Sequence, residues 1–197
     1  MEFQESGFYV IRNFLELDFV KFIQHYFHTR ICAGQYREND AQAPFSFSFY
    51  GDPLMDTILD GSRKTLSEIA GVNLLPTYTY TRLYRKHDEL IVHRDRPSCE
   101  ISATLALGVP EGEKVNPICF SRNEDKSDAI EVLLNPGDIC LYKGCELYHW
   151  RPKFTQEWYL QSFLHYVNAD GEYKDNLYDG REYLGMYKNE DSSETGT

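Results

Sequence analysis

The sequence predicts a mostly β domain, a two-sheet jelly roll with a side-layer of helices at its front. Three observations lead there. The hydrophobic period changes from helical to alternating near Leu74. Eight short alternating segments follow, separated by turn residues, and few helical patterns interrupt them. Two amphipathic helical patterns precede the change, as expected for a layer that packs against a sheet.

Taken in order, Gly7 to Ile11 reads as a short strand. After Asn13, the apolar positions Leu15, Phe19, Phe22, Ile23, Tyr26 and Phe27 recur at helical spacing and predict a helix of about four turns. From Cys32 to Asp52 the Gly, Pro, Ser and Asn content predicts a long loop of the kind that often covers a substrate site. Leu54, Met55, Ile58, Leu59, Leu66 and Ile69 predict a second helix, most simply a buttress for a sheet. The candidate strands are Thr77 to Arg85, Leu90 to Arg94, Glu100 to Leu107, Pro117 to Ser121, Ala129 to Leu134, Asp138 to Lys143, Glu146 to Arg151 and Trp158 to Val167. The clearest turn signal is Asn135-Pro136-Gly137-Asp138. No internal repeat is visible. Residues 168–197 are rich in charge and tyrosine, and about the last ten read as disordered. The whole chain is expected to be one domain: a helical front at about 13–71, the roll at about 74–167, and a polar tail.

Bulk properties narrow the function. A chain of 197 residues suffices for one well-buried domain, and an aromatic content of 15% argues for a solid core. A formal charge of -11 argues against gripping nucleic acid or an anionic membrane, and favours small-molecule, peptide or protein substrates. No signal peptide or membrane-spanning run is visible, so a soluble, cytoplasmic protein is expected; oligomeric state is left open. Cys32, Cys99, Cys119, Cys140 and Cys145 form no Cys-x-x-Cys pair and read as reduced thiols.

The chemistry-bearing motif is His93-Arg94-Asp95, joined by His149 much later in the chain. A His-x-Asp tripeptide is common by chance; its weight comes from the placement of both halves at apparent strand ends. In an extended strand residues i and i+2 point the same way, so His93 and Asp95 can share one ion while Arg94 points elsewhere. Two imidazoles and one carboxylate can occupy one face of a metal, the arrangement of non-haem Fe(II) oxygenases. His87, His25 and His28 are expected to face solvent. His165 is expected to be a hydrogen-bonded structural histidine.

The segment from Tyr84 through His93 and Asp95, with the Pro136-Gly137-Asp138 turn before the strand leading to His149, resembles prolyl-4-hydroxylase-like 2-oxoglutarate and Fe(II)-dependent oxygenases. The resemblance spans roughly residues 8–167. It implies a double-stranded β-helix of cupin-like form, and His93, Asp95 and His149 as ligands of Fe(II). It also implies 2-oxoglutarate as cosubstrate, dioxygen, and hydroxylation of an unactivated C-H bond with release of succinate and carbon dioxide.

One departure from the resemblance matters. Relatives carry an arginine or lysine for the far carboxylate of 2-oxoglutarate where this chain has Trp158, Tyr159 and Leu160. Arg151 is the first candidate for that anchor, since two residues beyond His149 it points to the same face about 7 Å along the strand. Arg82 is the second; it shares a face with Tyr78, Tyr80 and Tyr84, and Tyr84 matches a tyrosine that donates to the same carboxylate in similar enzymes. Tyr159 and Gln161 alternate with Leu160 and read either as pocket-lining residues together with Phe163 or as plain sheet-face residues. Two alternatives stand beside this reading: a cupin-like metal protein with a different reaction, for which Glu100 is the only nearby extra ligand, and a metal-free jelly-roll binding module.

Overall fold

A computed structural model of the chain describes residues 2–186. Its strands, in chain order, are β1 (Phe8–Ile11), β2 (Phe47–Tyr50), β3 (Leu74–Arg85), β4 (Leu90–His93), β5 (Ile101–Gly108), β6 (Ile118–Ser121), β7 (Ile130–Val132), β8 (Ile139–Lys143), β9 (Tyr148–Arg151) and β10 (Trp158–Asn168). Its α-helices are α1 (Glu2–Ser6), α2 (Leu17–Cys32) and α3 (Pro53–Ala70). Two antiparallel sheets result, a six-stranded one in the order β1-β8-β5-β10-β3-β2 and a four-stranded one in the order β4-β9-β6-β7. This is a jelly roll flanked by N-terminal helices, the architecture expected from the alternating pattern.

The helices form because their ends and faces agree. At α3, the Asp52 carboxylate accepts from the Leu54 N–H at 2.9 Å and the Met55 N–H at 3.2 Å, Pro53 opens the first turn, and Gly71 closes the helix with φ 70. Its buried stripe includes Met55, Leu59, Leu66 and Ala70. That stripe packs with Ile23 and Phe27 of α2 on one face of the large sheet.

Every residue of β5 is buried, because this strand is covered on both sides. Ile101, Ala103, Leu105 and Leu107 meet the helices, whereas Ala106 packs with Ile118, Phe120 and Val132 of the small sheet. Burying one such aliphatic side chain contributes about 1.5–3 kcal/mol. Alternation on β5 therefore also turns Ser102 and Thr104 toward the space between the sheets, and the same alternation on β10 turns Tyr159, Gln161, Phe163 and His165 there.

The structure departs from the sequence reading in several places. The loop at residues 32–52 contains strand β2, which pairs with β3 through Phe47 to Tyr50; it escapes a search for alternation because both its faces are partly covered. Helix α1 was not expected. β3 begins at Leu74 although it contains Pro76, because the pairing with β10 shifts register between Leu164 and Tyr166, where proline has no N–H to donate. The strand at His149 starts at Tyr148, since the Glu146 and Leu147 N–H groups turn back onto the Lys143 carbonyl.

The polar tail docks on the roll. A 3-10 segment (Lys174–Gly180) folds back on the roll, and Arg181 is buried against Asp56 at 2.7 Å. Arg181 also donates to the Thr77 carbonyl at 2.9 Å, and the Gly185 N–H reaches Asp56 at 2.8 Å. Part of the charge of this stretch is used in buried pairs. The disorder expected for about the last ten residues lies outside the described residues. None of the described helices is long and apolar enough to cross a membrane.

Candidate metal centre

β4 and β9 are neighbours in the small sheet, and their register sets His93 directly opposite His149, with ring centroids 4.3 Å apart. On β9, His149 and Arg151 are buried while Tyr148 and Trp150 are half-buried, so the period-two alternation turns both former residues inward. Asp95 is not on the strand: β4 ends at His93, and Asp95 follows in the connection to β5. The carboxylate is brought back because the Asp95 N–H donates to the Gly144 carbonyl at 2.9 Å. That approach requires glycine, since a Cβ at 144 would collide with the Cys99 carbonyl and the Asp95 carboxylate.

The three side chains converge. Asp95 Oδ1 lies 3.4 Å from His149 Nε2 and 3.7 Å from His93 Nε2, and the three candidate ligand atoms all lie within 4.8 Å of one another. His93 Nδ1 is 2.9 Å from the Ile91 carbonyl and His149 Nδ1 is 3.0 Å from the Leu147 carbonyl. A carbonyl only accepts, so each Nδ1 carries a hydrogen and Nε2 is the atom left for a cation. Three electron-rich atoms facing one another repel unless a positive charge sits among them. The residues therefore fit a divalent metal bound by two imidazoles and one carboxylate.

Electrostatics agree. Burial alone would raise the pKa of Asp95, but the charge of His149 and hydrogen bonds from the two imidazoles outweigh it, holding the carboxyl well below the usual range. A metal ion would act in the same direction with no proton on either Nε2, each ring keeping its Nδ1–H. A second group, Asp95 with Cys99 and His165, also comes within reach of one ion. It is chemically poorer: burial pushes the Cys99 thiol well above its ordinary pKa, and Cys99 Sγ already bonds the Tyr78 hydroxyl at 3.1 Å.

The centre borders a cavity of about 560 Å³ whose walls include Tyr50, Tyr78, Tyr80, Arg82, Phe163 and His165. The loop at 32–52 does reach it. Asp40 on that loop holds Arg82, with 2.7 Å from Nη2 and 3.1 Å from Nε, and accepts from the Tyr80 hydroxyl at 2.5 Å. The far wall is tied to the tail, because Asp179 accepts from Tyr50 at 2.5 Å and from both terminal nitrogens of Arg96 at 2.8 and 2.9 Å.

The residues expected to hold a cosubstrate divide into two groups. Arg82 lines the cavity, with its cation engaged by Asp40, Gln42 and Tyr84. Arg151 is buried between the sheets at 1% exposure, donating to the Asn116 carbonyl at 3.0 Å and to Thr104 Oγ1 at 3.3 Å, with its guanidinium over the Tyr159 ring at 5.3 Å. Arg151 Nε, Tyr159 OH and Gln161 Oε1 are buried without partners among the described residues. Tyr84 is fully buried and stacks on Phe154 at 4.4 Å. Tyr159 and Gln161 thus face the Arg151 layer and not the cavity wall, where Phe163 is found. His25, His28 and His87 are exposed. Glu100 accepts from the Asn168 N–H at 2.8 Å and takes no part in the cluster. Sequence reasoning missed Ser102, which donates to Asp95 Oδ2 at 2.9 Å, and the roles of Asp40, Arg96 and Asp179. Only Asp40 carried a signal, its place in the suspected covering loop.

No protein-family model and no curated protein matches the sequence. Solved structures do match its fold. A Pseudomonas putida prolyl-4-hydroxylase superimposes with a TM-score of 0.66 at 16% identity, covering 85% of this chain and 95% of that one. HygX from Streptomyces hygroscopicus, with nickel and 2-oxoglutarate bound, gives 0.64 at 15% identity over 85% of each chain. SnoK, a non-haem α-ketoglutarate-dependent carbocyclase of nogalamycin biosynthesis, gives 0.69 at 13% identity over 85% of this chain and 82% of that one. The fold is that of the 2-oxoglutarate and Fe(II)-dependent oxygenases, prolyl-4-hydroxylases among them.

Proposed function

We propose that the protein is an Fe(II) and 2-oxoglutarate-dependent dioxygenase that hydroxylates an unactivated C-H bond of a small molecule, a peptide or a protein. The observation that carries this reading is the meeting of His93 Nε2, His149 Nε2 and Asp95 Oδ1 at one edge of a cavity in this fold. Those three residues would hold the metal and leave its opposite face free. When bound, Fe(II) with 2-oxoglutarate supplies the activation of dioxygen that C-H oxidation needs.

The chain's own residues supply the rest. The carbonyls of Ile91 and Leu147 fix the two imidazole rings and their tautomers. Arg151 is the anchor for the outer carboxylate of the cosubstrate, supported by its unpaired Nε and the unpaired Tyr159 hydroxyl beside it, two buried donors for which an acceptor-rich ligand is the natural partner. Tyr84 and Gln161 border that subsite, and Arg82 serves the cavity wall under the Asp40 loop. The aromatic walls at Tyr78 and Phe163 exclude water from the reacting centre. The matched structures include a hydroxylase and a carbocyclase, so the fold alone does not set the reaction; the retained carboxylate at Asp95 favours hydroxylation. The charge of -11 favours a substrate other than nucleic acid, and a cytoplasmic setting is part of the same reading.

Calorimetric titration of 2-oxoglutarate into Ni(II)-loaded and metal-free protein tests this. Binding confined to the metal-loaded form is expected. A cupin-like protein of other chemistry would take metal and ignore 2-oxoglutarate, and a binding module would take neither. Succinate release with peptide and amino-acid libraries then identifies the substrate.

A further inference from the structure

Asp95 has two oxygens, and the structure treats them differently. Oδ1 faces His93 and His149, at 3.7 and 3.4 Å. Oδ2 is turned away and accepts from Ser102 Oγ at 2.9 Å. Ser102 Oγ in turn lies 2.9 Å from His165 Nδ1 and 3.2 Å from the Cys99 carbonyl.

Hydrogen counting orders this chain. A serine hydroxyl has one proton and two lone pairs, while a carboxylate and a carbonyl only accept. The Ser102 proton must therefore go toward Asp95 and the Cys99 carbonyl, so its contact with His165 is one in which His165 Nδ1–H donates. A neutral imidazole carries a single N–H, and this contact assigns it to Nδ1. Tyr78, at 4.5 Å between ring centroids, and Phe163, at 6.2 Å, hold the ring in place.

We propose that His165 and Ser102 form a relay of positioning residues that restrains Oδ2 of Asp95, so that the carboxylate meets the metal through Oδ1 alone. The proposal rests on Asp95 being a ligand and goes beyond that reading in assigning how it binds. The functional consequence is a matter of counting positions. A carboxylate bound through both oxygens takes one more coordination position than one bound through a single oxygen. Three protein donor atoms leave three positions of six for the cosubstrate and dioxygen, and a fourth donor leaves two. The relay thus keeps open a position that the reaction needs. Gly144 cooperates by letting the Asp95 backbone approach closely enough for Oδ2 to reach Ser102.

The test uses the full chain loaded with Co(II), whose visible absorption reports coordination number and geometry. Ser102→Ala removes the donor to Oδ2 and is expected to change the Co(II) spectrum, to weaken Co(II) binding by about 10- to 100-fold, and to lower 2-oxoglutarate affinity of the loaded protein. Ser102→Thr keeps the hydroxyl and should restore all three. His165→Phe should mimic Ser102→Ala, whereas His165→Asn, which can place an amide N–H near the Nδ1 position, should stay near wild type. Wild-type Co(II) affinity and spectrum in both Ser102→Ala and His165→Phe would overturn the relay while leaving the metal centre standing. If His165→Phe fails to fold, the Ser102→Ala and Ser102→Thr pair decides the question alone. Asp95→Ala that binds Co(II) as wild type does would instead remove the triad reading, and the relay with it.

Discussion

Replacing Arg151 with alanine probes the one site residue that departs from the resemblance. The side chain is 1% exposed and spends two of its donors on Asn116 and Thr104, leaving Nε unpaired. A hydrogen bond to a charged group contributes about 1.5–3 kcal/mol, and each 1.4 kcal/mol is tenfold in affinity. If Arg151 holds the outer carboxylate of 2-oxoglutarate, its loss should raise KM for 2-oxoglutarate by at least about tenfold, with metal affinity little changed. The Asn116 carbonyl is left unpaired as well, so a loss of about 1–3 kcal/mol in stability accompanies the change. Arg151→Lys keeps the charge but not the planar fork and should fall between wild type and alanine. The assay is succinate release against 2-oxoglutarate concentration, paired with direct titration on the Ni(II)-loaded protein and a thermal melt. A KM unchanged in Arg151→Ala, with a large rise in Arg82→Ala, would refute this reasoning and move the anchor to β3.

Three further outcomes are expected. Asp95→Ala should abolish substrate-coupled succinate release and weaken metal binding while leaving the circular dichroism spectrum native, because the carboxylate sits at the cavity edge and not in the apolar core; retained coupled turnover would show that it is not a ligand. Arg181→Ala should destabilise the fold by about 3–5 kcal/mol in urea unfolding, because it leaves Asp56 buried without its charge partner; a loss under about 1 kcal/mol would mean that the tail docks weakly. The Asp40 and Arg82 pair should loosen in acid. Burial alone would raise the Asp40 pKa, but the Arg82 guanidinium and the Tyr80 hydroxyl outweigh it, so the folded-state pKa is below the ordinary 3.8. A depressed pKa contributes stability above the unfolded value and loses it as pH falls through the folded one. Hydrogen exchange at residues 33–46 should therefore be slower in wild type than in Asp40→Asn near neutral pH, and the two should converge below about pH 4; a constant ratio across that range would show that the Asp40–Arg82 pair does not hold this loop.

Local pattern carried much of this protein. Alternation along 74–167 was enough to place eight strands, because each strand must bury one face and the period of two is written in consecutive residues. The same rule turned Arg82 toward Tyr78 and Tyr80, and turned Arg151 inward with His149. His93, Asp95 and His149 were legible because metal ligation uses few residue types in restricted spacings. What tertiary structure alone decided is how those residues are held. Ser102 reaches Asp95, Asp40 crosses to Arg82, and Arg181 returns from the tail to Asp56, each through a side-chain contact between segments whose local patterns carry no record of one another. Strand β2 and the docked tail stayed hidden for the same reason. Their residues read as loop and polar tail, and only a particular partner, β3 or Asp56, gives them their place. Periodicity records which way a side chain points, but the partner it meets depends on the packing of the whole chain.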